Sequence, residues 1–194
     1  MYTIKHNTNE KVWFISDLHL GHQKEFLYGP RGFSSIGEMN EAIIKNLREC
    51  VGPEDYLYIL GDLVMCPPEE AKPLLAQIPG KVTVIIGNHD TDNRLAMYEE
   101  LGFKVQFAAR MRYGKYHFFL SHYPTLTANP GEDHLTLAHV NLYGHTHQNW
   151  NWTAENKFAF CVCPEANNNH PIEISEIIAD LRENVSLMNH GLLD

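Results

Sequence analysis

The chain has 194 residues, 44% hydrophobic and 20% charged, which is the composition of a globular protein and excludes a disordered or fibrous one. Fifteen Lys and Arg against 24 Asp and Glu give a net charge of −9, which argues against stable binding of duplex nucleic acid and against a basic membrane-surface protein. The length predicts a single domain over residues 1–194, with about the last 10 residues frayed.

The polarity of the amino terminus and the shortness of every apolar run indicate a cytoplasmic protein. No apolar segment approaches the roughly 18 residues that a membrane helix needs. Four cysteines are too few for a disulfide framework. Cys161 and Cys163 stand two apart and would share one face of a strand, where we expect them to pack in the core.

Apolar runs of strand length alternate with segments of helical spacing in the first half of the chain. The predicted strands there are 11–16, 56–60 and 82–86, and the predicted helices are 36–50, 68–78 and 93–101. Such alternation is typical of parallel βαβ units.

The second half is mostly strands. A hairpin of 104–109 with 116–120 is predicted across Gly114, followed by strands 140–143 and 157–162 and a last helix over 176–183 with Ser175 as its N-cap. We therefore predict an α/β fold in which two mixed β-sheets pack as a sandwich flanked by α-helices.

Polar residues follow five of the apolar runs directly. They are Asp17 and His19; Asp62; Asn88, His89 and Asp90; His122; and His145 and His147. Ligands of open α/β sheets bind beyond the carboxyl ends of the strands, so we expect these side chains to converge on one rim. Each cluster alone is compatible with a turn or a solvated group; the specific signal is their joint occurrence.

Seven of these residues are candidate ligands: Asp17, His19, Asp62, Asn88, His122, His145 and His147. They offer oxygen or nitrogen atoms and no thiolate, a donor set that suits Zn²⁺, Mn²⁺, Fe or Ni²⁺. They are too many for one four-coordinate ion and suit two ions about 3.5–4 Å apart that share a carboxylate. Gly61, Gly87 and Gly144 precede the ligand clusters, where the backbone must turn or approach closely. If the strands continue, the two residues of each D-x-H or H-x-H pair point the same way.

The order D-x-H, G-D, G-N-H-D, H and G-H-x-H, from Asp17 to His147, resembles the calcineurin-like metallophosphoesterase superfamily. The start S-D-x-H-x-G-H and the stretch F-S-S-x-x-E-M-N at 33–40 are similar to small bacterial and phage-type members. The resemblance implies a β-sandwich flanked by helices, in agreement with the prediction from the sequence pattern.

The resemblance also implies roles for the clustered residues. Asp17, His19 and His147 would hold a first metal ion. Asn88, His122 and His145 would hold a second. Asp62 would bridge both ions, and His89 would be the catalytic histidine. The ions could be Mn, Fe, Zn, Ni or Mg.

The implied activity is hydrolysis of small phosphate esters, phosphodiesters first and phosphomonoesters second, with nucleotide-derived esters among the candidates. A hydroxide bridging the two metals would attack phosphorus directly, and His89 would protonate the leaving oxygen. The alternative is a non-catalytic metal-binding scaffold that acts through protein partners, and a third possibility is a domain with one metal only. No oligomeric state is predicted.

The chain also departs from its relatives. Many have a second Asp three residues after G-D that orients the catalytic histidine; here that residue is Met65, and Asp90 is the nearest substitute in sequence. Ile86 stands where protein Ser/Thr phosphatases carry Arg, which disfavours that activity.

Three further side chains and one tryptophan pair complete the candidates. His22 could touch substrate or orient a ligand, or be solvated or structural. Arg31 and Arg94 could bind phosphate or be ordinary exposed arginines. Arg31 and Asp90 could also contact substrate or support a metal ligand from behind. Trp150 and Trp152 could stack a nucleobase or pack in the core or at an interface.

Overall fold

The computed structural model describes residues 3–129, 132, 134–151 and 157–189. Its strands are β1 (Thr3–His6), β2 (Val12–Ile15), β3 (Tyr56–Ile59), β4 (Lys81–Ile85), β5 (Lys104–Gln106), β6 (Ala109–Tyr113), β7 (Tyr116–Leu120), β8 (His139–Tyr143), β9 (Ala159–Cys161) and β10 (Ile172–Glu173). Its α-helices are α1 (Glu25–Tyr28), α2 (Ile36–Cys50), α3 (Pro68–Leu75), α4 (Asp92–Glu100) and α5 (Ile174–Asn189), with a 3₁₀ turn at Pro164–Asn167.

The strands form two five-stranded mixed sheets. One sheet has the order β1-β6-β7-β8-β9 and the other has the order β10-β2-β3-β4-β5. In the second sheet, β2, β3, β4 and β5 are parallel neighbours, and in the first sheet β7, β8 and β9 are parallel. The predicted pair of mixed sheets with flanking helices is confirmed.

Two apolar layers hold these elements together. Val12 and Phe14 of β2 pack with Phe118 and Leu120 of β7 in the core between the sheets, a core that α5 also joins. The alternate residues of β2, such as Ile15, point to the opposite face, which is covered by α2, α3 and α4. Because both faces of this sheet are buried, its strands read as continuous apolar runs rather than as an alternating pattern.

Helix α2 begins and ends as predicted. The Ser35 hydroxyl accepts a hydrogen bond from the Glu38 backbone N–H at 3.2 Å, which is an N-cap interaction. Met39, Ile43 and Leu47 lie on its buried face, so the helical spacing of the apolar residues indicated the packing surface correctly.

The predicted hairpin of 104–109 with 116–120 is wrong. Lys104–Gln106 pairs with β4 in one sheet, and the separate strand Ala109–Tyr113 forms the hairpin with β7 in the other. The chain crosses between the sheets at Phe107 and Ala108, and a continuous run of strand-forming residues did not reveal that crossing.

The last helix also differs from its prediction. It begins at Ile174, so Ser175 lies inside the first turn instead of capping it, and it extends past Glu183 to Asn189. The short elements β1, α1 and β10 were not predicted, because two to four residues carry too little periodicity.

No helix in the described part of the chain has the length and apolarity that crossing a membrane requires.

Candidate metal centre

The residues that follow five strands meet at one edge of the sandwich. Asp17 and His19 come after β2, Asp62 after β3, and Asn88 after β4. From the other sheet, His122 comes after β7, and His145 and His147 come after β8. The parallel strands of each sheet end at a common edge. The two edges adjoin, because Asn88 of one sheet contacts His122 and His145 of the other.

Asp17, His19 and His147 form one group, with one ligand atom of each lying within 4.8 Å of the others. The Nε2 atoms of His19 and His147 are 3.2 Å apart, and the Oδ1 atom of Asp17 is 3.6 Å from Nε2 of His147. That Oδ1 atom is buried and has no hydrogen-bond partner in the described chain. The group therefore presents nitrogen and oxygen lone pairs to a common point.

Asn88, His122 and His145 form a second group. The Asn88 Oδ1 atom lies 2.8 Å from Nε2 of His122 and 2.9 Å from Nδ1 of His145. Nδ1 of His122 donates to the Leu60 carbonyl at 2.8 Å, which turns Nε2 of that imidazole toward the group. The three side chains come from both sheets.

Asp62 lies between the two groups. Its Oδ2 atom is 3.8 Å from Nε2 of His19 and 3.6 Å from Nε2 of His122. Its Oδ1 atom accepts the backbone N–H of His89 at 2.8 Å, so the carboxylate is held in one orientation. A carboxylate so placed is suited to contact cations on both sides.

The backbone turns sharply at these ligands. Five of them have a positive φ, a conformation uncommon outside glycine: Asp17 (48°), His19 (46°), Asp62 (57°), His145 (68°) and His147 (48°). Alignment of the D-x-H and H-x-H pairs would require β2 and β8 to continue, and this condition is not met, since both strands end before these residues. Strained backbone of this kind clusters at functional sites.

Glycines make the close approach possible. A Cβ atom on Gly61 would lie 2.7 Å from the Gly87 Cα atom, and one on Gly87 would collide with the Asp62 carboxylate. A Cβ atom on Gly144 would collide with Oδ2 of Asp17. Because Gly61, Gly87 and Gly144 carry no Cβ atom, neighbouring ligand side chains can occupy the space beside them.

The donor set fits cations. Asp17 and Asp62 are almost fully buried, and burial raises the pKa of Asp62, an effect to which the charge of Asp17 adds. Two buried carboxylates are costly without a counter-charge. Burial, together with the neighbouring His147, lowers the pKa of His19 to about 2, so its imidazole is neutral as metal binding requires.

A buried ion pair lies behind His147 and was not predicted. The Oε1 atom of Glu165 accepts Nδ1–H of His147 and Nε–H of Arg31, both at 2.8 Å. Arg31 also donates to the Asp17 carbonyl at 2.8 Å. Its guanidinium is therefore buried and holds the ligand loops in place, so Arg31 is not an exposed surface arginine.

Glu165 orients His147 as carboxylates commonly orient metal-binding histidines. Burial by itself would raise the pKa of Glu165, but the bond from His147 and the charge of Arg31 lower it to about 2. The ionised form therefore stabilises the fold above about pH 4.5, and this contribution is lost as the pH falls toward 2.

We expect Glu165→Gln to weaken metal binding about 10- to 100-fold, because the neutral amide makes His147 less basic and leaves the Arg31 charge uncompensated. Calorimetric titration of the metal-free protein with Mn²⁺ measures the change. Glu41→Gln, an exposed position on α2, is the matched control. Unchanged affinity in the Glu165 variant would show that this carboxylate does not support the site.

His89 is exposed beside the first group, its ring centroid 5.6 Å from that of His19. Its backbone is held at both ends, since its N–H donates to Asp62 and its carbonyl accepts from Nη1 of Arg94. The same Arg94 atom lies 3.6 Å from Sδ of Met65, the residue that replaces the expected Asp. Arg94 thus lies next to Met65 and holds the backbone of His89 in place.

Asp90 does not take over the role of that missing carboxylate. Its Oδ2 accepts the backbone N–H groups of Asp62 (2.9 Å) and Gly87 (2.8 Å), and its Oδ1 accepts the Tyr98 hydroxyl (2.9 Å). Asp90 is buried and ties together the loops after β3 and β4.

Of the remaining candidates, His22 adjoins one of the ligands. His22 stands edge-on to His19, with ring centroids 5.8 Å apart. Trp150 is 58% exposed, so it is not a core residue, and Trp152 lies outside the described residues. Cys161 and Cys163 are buried as expected, and the Cys163 thiol also lies 3.4 Å from Oδ2 of Asp17, a contact that the strand pattern did not indicate.

The model of the calcineurin-like phosphoesterase family matches residues 10–160, which include every ligand described above. The chain belongs to this family. The family is one of phosphoesterases, and the resemblance drawn from the motifs is confirmed.

Three further proteins are similar to this chain. An uncharacterized protein of Methanocaldococcus jannaschii is 32% identical over 141 residues, covering 72% of this chain and 70% of that protein. The gene 66 protein of Mycobacterium phage D29 is 31% identical over 162 residues, covering 70% of this chain and 78% of that protein. The crystal structure of a protein of unknown function from Aquifex aeolicus matches with a TM-score of 0.69 at 24% identity, covering 88% of this chain and 99% of that one, which shows the same fold.

Proposed function

We propose that this calcineurin-like phosphoesterase is a dinuclear enzyme that hydrolyses small phosphate esters, phosphodiesters before phosphomonoesters. The observation that carries the proposal is the position of Asp62. One of its oxygens lies within 3.8 Å of His19 and 3.6 Å of His122, between two groups of nitrogen and oxygen donors. A site for one ion would not need donors on both sides of a carboxylate.

The protein would bind one cation through Asp17, His19 and His147 and another through Asn88, His122 and His145, with Asp62 shared. Cations bound there would supply an acidified water as nucleophile and would neutralise the phosphate oxygens. Mn²⁺, Fe, Zn²⁺, Ni²⁺ and Mg²⁺ are all candidates for this donor set.

The chain would contribute orientation and a proton. Glu165 and Leu60 hold the imidazoles of His147 and His122, so each presents Nε2 to the centre. Asp62 and Arg94 hold the backbone of His89, whose exposed imidazole would stand beside the ester and donate its proton to the leaving oxygen. A protein that only binds metal needs no general acid. The presence of His89 therefore favours an enzyme over the non-catalytic scaffold.

The proposal is tested by loading metal-free protein with Mn²⁺, Ni²⁺, Mg²⁺, Zn²⁺ or Fe²⁺ in turn. Turnover of bis(p-nitrophenyl) phosphate and p-nitrophenyl phosphate is then measured together with metal content. We expect two ions per chain and faster hydrolysis of the diester. Two bound ions without turnover of either ester would support the scaffold, and a stoichiometry near one would contradict the dinuclear centre.

The cytoplasmic location and the extent of the domain over residues 1–194 stay predictions.

A further inference from the structure

Two exposed aromatic rings stand beside the candidate metal centre, one next to each ligand group. Tyr123 is 46% exposed, and its ring centroid lies 5.1 Å from that of His122 and 4.7 Å from that of His145. Phe26 is 74% exposed, and its ring centroid lies 5.5 Å from that of His22, which adjoins His19.

The position of Tyr123 is fixed by its backbone and not by burial of its ring. The Tyr123 carbonyl accepts the hydroxyl groups of Ser121 (2.8 Å) and Thr125 (3.1 Å). The Thr125 backbone N–H in turn donates to the Asn141 side chain at 2.7 Å, and Asn141 is fully buried in β8. The ring is therefore presented at the rim by a bonded loop, which keeps the entropic cost of binding a flat group low.

The location of His89 assigns a direction to the substrate. Its ring adjoins His19, on the same side of the centre as His22 and Phe26. A general acid must lie within hydrogen-bond reach of the leaving oxygen, so the leaving group would point to the Phe26 side. The half of the ester that stays on phosphorus would then point to Tyr123.

Resting on the proposed hydrolysis, we propose that Tyr123 is a specificity-determining residue that stacks on a nucleobase in the retained half of a nucleotide phosphodiester, while Phe26 contacts the leaving group. An exposed tyrosine ring stacks on any base, because every base has a π-face. The net charge of −9 disfavours a long polyanion, so the substrate class is a small nucleotide diester and not a nucleic acid strand.

Two esters with the same leaving group test the role of Tyr123. Thymidine 5′-(p-nitrophenyl phosphate) carries a base in its retained half, and methyl p-nitrophenyl phosphate does not. We expect Tyr123→Ala to lower kcat/KM for the thymidine ester about tenfold, in line with the cost of losing one base–aromatic contact. The methyl ester should change less than about twofold, because it has no base to stack.

Further variants separate stacking from other effects. Tyr123→Phe keeps the ring and should restore the preference for the thymidine ester, whereas Tyr123→Leu keeps apolar bulk and should not. Phe26→Ala should lower turnover of both esters equally, since they share the p-nitrophenyl leaving group. Equal loss on both esters in Tyr123→Ala would overturn the proposal and indicate that this ring only supports His122 and His145.

Binding gives a readout that does not depend on turnover. Calorimetry should show that Tyr123→Ala has a larger Kd for thymidine 5′-phosphate than the parent protein. The Kd for methyl phosphate should be the same in both proteins. If the parent protein hydrolyses neither ester yet this difference in Kd is found, the proposed function fails while the base site stands. If the parent hydrolyses both esters and the Kd for thymidine 5′-phosphate is unchanged by Tyr123→Ala, the base site fails while the proposed function stands.

Discussion

Replacing Asp62 with alanine is expected to abolish tight binding of both metal ions and to remove nearly all phosphoesterase activity. Among the described residues, Asp62 is the one carboxylate within 4 Å of imidazole nitrogens from both ligand groups, those of His19 and His122. Loss of partners behind a metal ligand already weakens metal binding about 10- to 100-fold, so removal of a shared ligand should exceed about 100-fold.

The measurement combines metal content after dialysis with kcat for bis(p-nitrophenyl) phosphate. Asp92→Ala, which removes an exposed carboxylate from the first turn of α4, is the matched control and should retain both ions and full turnover. Two retained ions with parental turnover in Asp62→Ala would refute the shared carboxylate.

Asp62→Asn separates the metal-binding role of the carboxylate from its effect on folding. Burial raises the pKa of Asp62, so its ionised form destabilises the metal-free fold at neutral pH. The amide should therefore raise the melting temperature of the metal-free protein while still impairing metal binding. A lower melting temperature would show that the carboxylate also has a structural role.

His89→Ala is expected to keep both ions and to slow hydrolysis by about 10²–10⁴-fold for esters with a poor leaving group. The effect should be much smaller for p-nitrophenyl esters, because p-nitrophenolate departs without protonation. The metal sites should survive, since the bonds at position 89 to Asp62 and Arg94 come from the backbone, which alanine keeps.

The test of His89 compares an alkyl phosphodiester with an aryl one, using the ratio of kcat values as the readout. His134→Ala, an exposed histidine outside every ligand cluster, serves as the control. A general-acid role predicts a loss that grows as the leaving group becomes more basic. An equal loss on both esters, or a loss of metal, would falsify that role.

Much of the site could be predicted because its signals are local. Each ligand cluster directly follows an apolar strand, and parallel strands end at a common edge, so Asp17, Asp62 and Asn88 could be placed together before any contact was known. The glycines at 61, 87 and 144 were also readable, since glycine between strand and ligand indicates close approach.

The partners behind the ligands could not be predicted in the same way. Glu165 bonds to Arg31, 134 residues away in sequence, and no local spacing connects the two. Asp90 and Arg94 stand close to His89 in the sequence, but only the fold shows that Asp90 ties two loops together and that Arg94 bonds the His89 carbonyl. Long-range polar contacts leave no periodic trace in a sequence.

The sequence by itself determined most of the secondary-structure pattern, the two-sheet class and the identity of the converging donors, because hydrophobic periodicity and turn chemistry are encoded residue by residue. The tertiary structure decided the left-handed backbone that aims donors such as Asp17 and His147. It also decided that Arg31 is buried and that Tyr123 and Phe26 stand at the rim. These properties depend on which distant segments pack together, and packing is settled only by the free energy of the whole fold.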